Sequence, residues 1–316
     1  MNENEVIIVD QLPNKEYDSL IENCIRYALI SKPFTIRRIR NQLLKQAILN
    51  IFKGKIAESL FQFFCNANNI NLNWNSCTTP FWQVDKRDFL LNNNEWDIKN
   101  NFLYHLDSVM QNYKYIDLPC LIPNRFTPSN GRPGDQWSTR NDIKNTGLGL
   151  TGVSYIFSFL KLADLDANGR RDIEFYNLNI SQEQLDFIDS LEKRYNGLPT
   201  VEEPFTEEWF WQQMLARGSL NFINLNFRPF LVITGYANKN IWDKFRDTGP
   251  FDRNNNWQTY ILPRWYIKTT TGSCNFMNGT LWTTITNATL PASYLNSFIS
   301  LFPQLRTNIM FGRIKQ

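Results

Sequence analysis

The chain carries 316 residues, with 33 Lys and Arg against 30 Asp and Glu for a formal charge of +3, 42% hydrophobic residues and a single histidine. That apolar content is ample for a packed core, so disorder is not the default, and the mild positive charge permits a nucleic-acid partner without requiring one. One imidazole, His105, excludes two-histidine zinc sites and H-E-x-x-H metalloprotease helices, so any metal would be held mainly by oxygen.

The N-terminal Met1-Asn2-Glu3-Asn4-Glu5 is acidic and leads into no apolar leader, and no run of about 18 apolar residues occurs in the chain. Five scattered cysteines, Cys24, Cys65, Cys77, Cys120 and Cys274, form no C-x-x-C pair, which argues against a zinc knuckle and a disulfide framework. A cytoplasmic protein is expected. Over 15–68, Leu20, Ile21, Cys24, Ile25, Tyr27 and Ala28, then Ile48, Ile51, Phe52, Ile56, Leu60 and Phe64, recur at helical spacings. Pro33 separates two helices. Between them Arg37, Arg38, Arg40 and Lys45 gather positive charge that suits either a solvated helix face or phosphate contacts.

Beyond Asn66, two short runs around Asn92-Asn93-Asn94 predict a β-hairpin over 88–102. A short helix is expected over 103–114, an extended piece from Tyr115 to Ile122, and a long polar loop over 124–149. Val153 to Leu160 reads as a strand, with Asp172 to Ile180 pairing to it across Asn168-Gly169. Ser181 opens a helix through an S-x-x-Q capping box, running to about Tyr195, and Thr206 opens another with Glu207 and Glu208 in its first turn. Phe230 to Tyr236 reads as a buried strand, Lys239 to Phe245 as a helix, and the C-terminal stretch, rich in Thr, Asn and Trp, as mixed strand and loop. With no internal repeat and no flexible linker, one α/β core with helical and loop additions is the economical architecture.

The chemistry concentrates at Asp88 and at Asp97-Ile98-Lys99, with Gly54-Lys55-Ile56-Ala57-Glu58 on an earlier helix. Side chains alternate along a strand, so Glu95, Asp97 and Lys99 share one face while Trp96 and Ile98 share the other. The apolar pair can bury itself, and the hairpin can bring Asp88 close to Asp97. Two carboxylates meeting there repel unless a cation neutralises them, and oxygen ligands with open water positions suit Mg²⁺. Such an ion can lower the pKa of a water and stabilise charge on a phosphate oxygen. Lys99 then either orients or deprotonates the attacking water, or neutralises the pentacovalent phosphorus centre.

At these residues the chain resembles the PD-(D/E)xK nuclease superfamily, which contains most type II restriction endonucleases. The family pattern is an acid at the end of one strand, a variable gap, then acid-x-Lys on the next strand, often with a glutamate on the preceding helix. Asp88, Asp97, Lys99 and Glu58 match it. The resemblance implies a restriction-endonuclease-like α/β core, a central mixed sheet flanked by helices with helical and loop insertions. It also implies Glu58, Asp88 and Asp97 as ligands to Mg²⁺, with Mn²⁺ as an expected substitute, Lys99 as the fourth catalytic residue, and double-stranded DNA as substrate. A homodimer is expected, since cutting both strands at a symmetric site takes two active sites, and a cognate DNA methyltransferase is a further expected partner. The motif covers roughly 50–100, with the strands near 153 and 230 matching the rest of such a core more loosely. One nuclease domain is then expected, with an N-terminal helical region over about 1–68, a catalytic core over about 50–245 and a DNA-recognition or accessory part over about 246–316. Two departures stand out: Arg87 precedes Asp88 where the family has proline, and Asp85 competes with Asp88 for the metal role. The same residues are compatible with a non-catalytic nucleic-acid-binding protein, or with a repair or mobile-element nuclease.

A second copy, Asp142-Ile143-Lys144-Asn145, lies in a Gly-flanked polar stretch without apolar alternation and reads as loop. The run from Asp164 to Asp172 imitates half a calcium loop but has Phe175 where a bidentate Glu is needed. Gly147-Leu148-Gly149 precedes a strand and lacks a phosphate-loop lysine, and His105 reads as structural. Asn100 and Asn101 after the lysine, Arg253 beside Trp257, and Arg264 beside Trp265 are the remaining candidates for DNA contact, since amides and guanidiniums read base edges and rings stack on bases.

Overall fold

In a computed structural model of the chain, the described residues are 1–35, 43–78, 80–82, 88–103, 114–123, 154–161, 163–165, 171–195, 205–238, 240–241, 246–247, 266–268, 273–276, 279–282 and 287–315. Seven strands form the main sheet: β1 (Ile7–Val9), β2 (Phe89–Leu91), β3 (Asn94–Leu103), β4 (Ser154–Lys161), β5 (Leu231–Ala237), β6 (Asn296–Ser297) and β7 (Arg313–Ile314). Their spatial order is β7-β1-β5-β4-β3-β2, with β6 also pairing to β5. β3 and β4 run parallel while the other pairs run antiparallel, so the sheet is mixed.

Helices α1 (Asn14–Ser31), α2 (Leu44–Ala67), α3 (Gln182–Tyr195) and α4 (Glu207–Leu215) gather on one face. Ile48, Phe52, Ile56, Leu60 and Phe64 of α2, spaced four apart, are fully buried against Trp96 and Ile98 of β3 and Ile156 and Leu160 of β4. The opposite face of the same strands presents Tyr155, Phe157, Phe159, Val232 and Leu103, which pack under Tyr115, Leu118, Cys120, Leu290 and Leu295. β1, β3, β4 and β5 therefore each contribute to two cores by simple alternation. The expected α/β class holds, with a mixed central sheet and helices packed against it.

The local signals were sound at helix starts. Ser181 Oγ accepts from the Gln184 amide and Gln184 Oε1 accepts from the Ser181 amide, both at 3.1 Å, which is the reciprocal capping box. Thr206 Oγ1 accepts from the Trp209 amide at 3.1 Å at the head of α4. Pro33 sits in the 3-10 turn Lys32–Phe34 that ends α1. No helix among the described residues is long and apolar enough to cross a membrane. Cys24, Cys65 and Cys120 are buried and form no disulfide.

Several expectations are corrected. The segment Arg171–Glu174 pairs with Ala163–Leu165, and Tyr176–Leu178 with Ile223–Leu225, so neither joins β4. Instead β4 lies between β3, which it pairs in parallel over eight residues, and β5, which it pairs antiparallel. The piece after Lys114 begins as a 3-10 turn, Tyr115–Asp117, before the strand Pro119–Pro123. β1 escapes the helical reading of the N-terminal region, and β6 and β7 bring the C-terminal part into the central sheet. Gly235 permits this: an added Cβ there would stand 2.5 Å from the Asn296 carbonyl of β6. Positions 104–113, 124–153, the Asn168-Gly169 turn and 242–245 lie outside the described residues.

Candidate active site

The hairpin turn closes on Asn92 and Asn93, both with positive φ (52° and 60°), as a two-residue turn of the kind that matches strand twist. This fixes the register Phe89↔Trp96, Leu90↔Glu95 and Leu91↔Asn94. The ladder then continues one step past β2. The Asp88 amide donates to the Trp96 carbonyl at 3.0 Å, and the Asp88 carboxylate, rather than a backbone carbonyl, accepts from the Ile98 amide at 2.5 Å. Asp88 is thereby pinned across from Asp97, as the spacing predicts.

Asp97 is 5% exposed, although it is an acid. Lys99 Nζ meets both of its carboxylate oxygens, at 3.0 and 2.9 Å, and lies 5.3 Å from the centroid of the Tyr155 ring. On α2, Glu58 stands half-exposed and accepts from Lys55 Nζ at 2.8 Å, and that ammonium also faces the Tyr27 ring at 4.6 Å. The electrostatics tie these pieces together. Burial raises the Asp88 carboxyl well above the usual carboxylate range; Asp97 and then Glu58 raise it further, while the Ile98 amide and Lys99 pull it down. Glu58, Asp88, Asp97 and Lys99 thus share one electrostatic neighbourhood across the helix and the hairpin.

The donor chemistry fits a hard divalent cation. Every acidic group is a carboxylate, and Asp88 is destabilised as an anion by its two acidic neighbours, which a cation would reverse. Among the described residues no three acids, cysteines or histidines are drawn together as a metal-holding group, and Asp97 and Glu58 each pair with a lysine. Glu58, Asp88 and Asp97 would supply the ligands once Lys99 and Lys55 yield their oxygens.

The DNA-contact candidates divide. Asn100 accepts from the Ser158 hydroxyl at 3.0 Å and its Nδ2 is buried, so its amide is turned into the sheet. Asn101 Nδ2 reaches toward the Pro119 carbonyl at 3.5 Å. Lys45 is exposed on the first turn of α2. Arg37, Arg38, Arg40, Asp85, Arg87, His105, Asp142, Arg253 and Arg264 lie outside the described residues. Two neighbours were not anticipated. Lys55 was legible in principle from its i,i+3 spacing to Glu58, whereas Tyr155 depends on a parallel register that no local pattern encodes.

No family model, curated protein or solved structure shows significant similarity to this chain.

Proposed function

We propose that this chain is a Mg²⁺-dependent endonuclease that hydrolyses phosphodiester bonds of double-stranded DNA, as a type II restriction enzyme does. The observation that carries the reading is the repulsion focused on Asp88 by Asp97 and Glu58, with the Lys99 ammonium seated on Asp97. Acids buried near one another cost stability, and a nuclease has a use for the arrangement. Glu58, Asp88 and Asp97 hold the cation; when bound, it supplies an activated water and charge stabilisation at a phosphate oxygen. The Asp88 carboxylate is oriented by the Ile98 amide, and Trp96 and Ile98 anchor β3 so that Asp97 cannot drift. Lys99 offers ammonium protons to the phosphate or to the attacking water. Two copies acting on a symmetric site would cut both strands, in defence against foreign DNA beside a protecting methyltransferase.

One observation favours a second reading. Lys99 and Lys55 already neutralise Asp97 and Glu58, which suits a nucleic-acid-binding protein that keeps the sheet without turnover. Incubating the protein with plasmid DNA, with Mg²⁺ or with chelator, separates the two. Cleavage with Mg²⁺ that falls at least about 100-fold in Asp97→Ala and Lys99→Ala supports the nuclease. DNA bound but left intact in every condition overturns it in favour of the binding protein. Discrete fragments rather than a smear would mark site-specific cutting.

A further inference from the structure

We propose that Tyr155 is a positioning residue for Lys99, its ring face fixing the ammonium at the carboxylate corner when the oxygens of Asp97 are engaged elsewhere. The inference rests on the nuclease reading for its consequence, and on geometry alone for the placement. In the parallel β3–β4 pair, Asp97 lies opposite Tyr155 and Lys99 opposite Phe157, so all four side chains leave the same face of the sheet. Lys99 reaches back along this face and sets Nζ 5.3 Å from the Tyr155 ring centroid, within the roughly 6 Å over which a cation is drawn to an aromatic quadrupole.

The ring is a rigid support. Tyr155 is 1% exposed, is packed 6.4 Å from the Phe157 ring, and belongs to the core beneath Leu118, Leu290 and Leu295. Lysine brings the opposite property, a four-carbon stem with many rotamers and a point charge. Once both carboxylate oxygens were taken, Asp97 would no longer hold that charge in place. The ring face has no competing oxygen to surrender, and because the site is largely screened from water the attraction is stronger than at an open surface. The hydroxyl plays no part in this, so phenylalanine should serve as well as tyrosine.

Two readouts test the placement and its consequence separately. In protein labelled with ¹³C at the lysine ε position, the Lys99 signal is identified by its loss in Lys99→Arg. It is expected upfield of ordinary lysines through the ring current in wild type and in Tyr155→Phe, and to return to the ordinary position in Tyr155→Leu and Tyr155→Met, two ring-less variants of different shape. An unshifted wild-type signal, or one unchanged in a folded ring-less variant, overturns the placement. In steady-state DNA cleavage, Tyr155→Phe is expected to match wild type, and the ring-less variants to lose about 2- to 30-fold in kcat with KM and the Mg²⁺ dependence unchanged. Equal kcat in all variants, an equal loss in Tyr155→Phe, or a loss that appears in KM or follows a fall in Tm overturns the positioning role. A wild-type protein that cuts no DNA overturns the nuclease reading and leaves the spectroscopic result to judge the placement by itself.

Discussion

The two faces of β3 bury their side chains to a similar depth and for opposite reasons. On the helix side, Trp96 and Ile98 are 5% and 8% exposed; Trp96 stacks on Phe89 at 6.1 Å, and Phe89 in turn on Phe61 of α2 at 6.0 Å. On the other side Asp97 is 5% exposed, and its compensation is a lysine two residues along the same strand. Apolar burial gains stability in proportion to area, whereas a buried ion pair loses hydration that its own attraction barely repays. One strand thus spends on its second face part of what it gains on its first, and that asymmetry marks the site.

The largest loss of stability is expected on the helix side. Phe61→Ala removes a fully buried ring packed against Trp74, Phe89 and Phe298, and should lower stability by about 3–5 kcal/mol, read from the denaturant midpoint. On the charged side, Lys99→Leu leaves the Asp97 carboxylate buried without its ammonium and should cost about 1–3 kcal/mol. The pair Asp97→Leu/Lys99→Leu should recover most of that loss, because apolar side chains of similar volume replace both buried charges; under the proposed nuclease function it should also abolish cleavage. A double variant as unstable as the single one would show that the pair holds the fold.

A pH series sharpens the same contrast. The folded-state pKa of Asp88 is raised, so the fold binds its proton more tightly than the unfolded chain does. The stability this contributes is fully present below the ordinary carboxylate pKa and is lost as pH rises through the raised folded value. Metal-free wild type should therefore weaken across that window, while Asp88→Asn should follow a flatter course; parallel curves from urea midpoints would contradict the assignment. The smallest effect is a gain. Gly54 lies inside α2 with nothing within 4 Å of an added Cβ, so Gly54→Ala should raise stability by up to about 1 kcal/mol, seen as a higher Tm.

Much of the fold was legible where the physics is local. The helical spacing from Leu20 to Phe64, the Ser181 and Thr206 caps and the Asn92-Asn93 turn all act within a few residues, and each found its place. Strand alternation likewise put Trp96 and Ile98 on one face and Asp97 and Lys99 on the other. What remained hidden depends on partners far along the chain. β1, β6 and β7 are too short to carry a periodic signal and exist only because β5 and β1 offer them an edge. The same holds for Tyr155, which meets Lys99 through a parallel pairing, and for Asn100, which looked available for a base edge until Ser158 claimed its amide oxygen.

The most direct test of the central claim, that Glu58, Asp88 and Asp97 form one cation site, is Mn²⁺ binding followed by electron paramagnetic resonance in wild type, Asp97→Ala and Glu208→Ala. Glu208 is an exposed acid on α4 and serves as a control of equal charge change. Mn²⁺ should bind wild type and Glu208→Ala alike, with binding lost or greatly weakened in Asp97→Ala. Equal binding by all three proteins, or none by wild type, would contradict that claim.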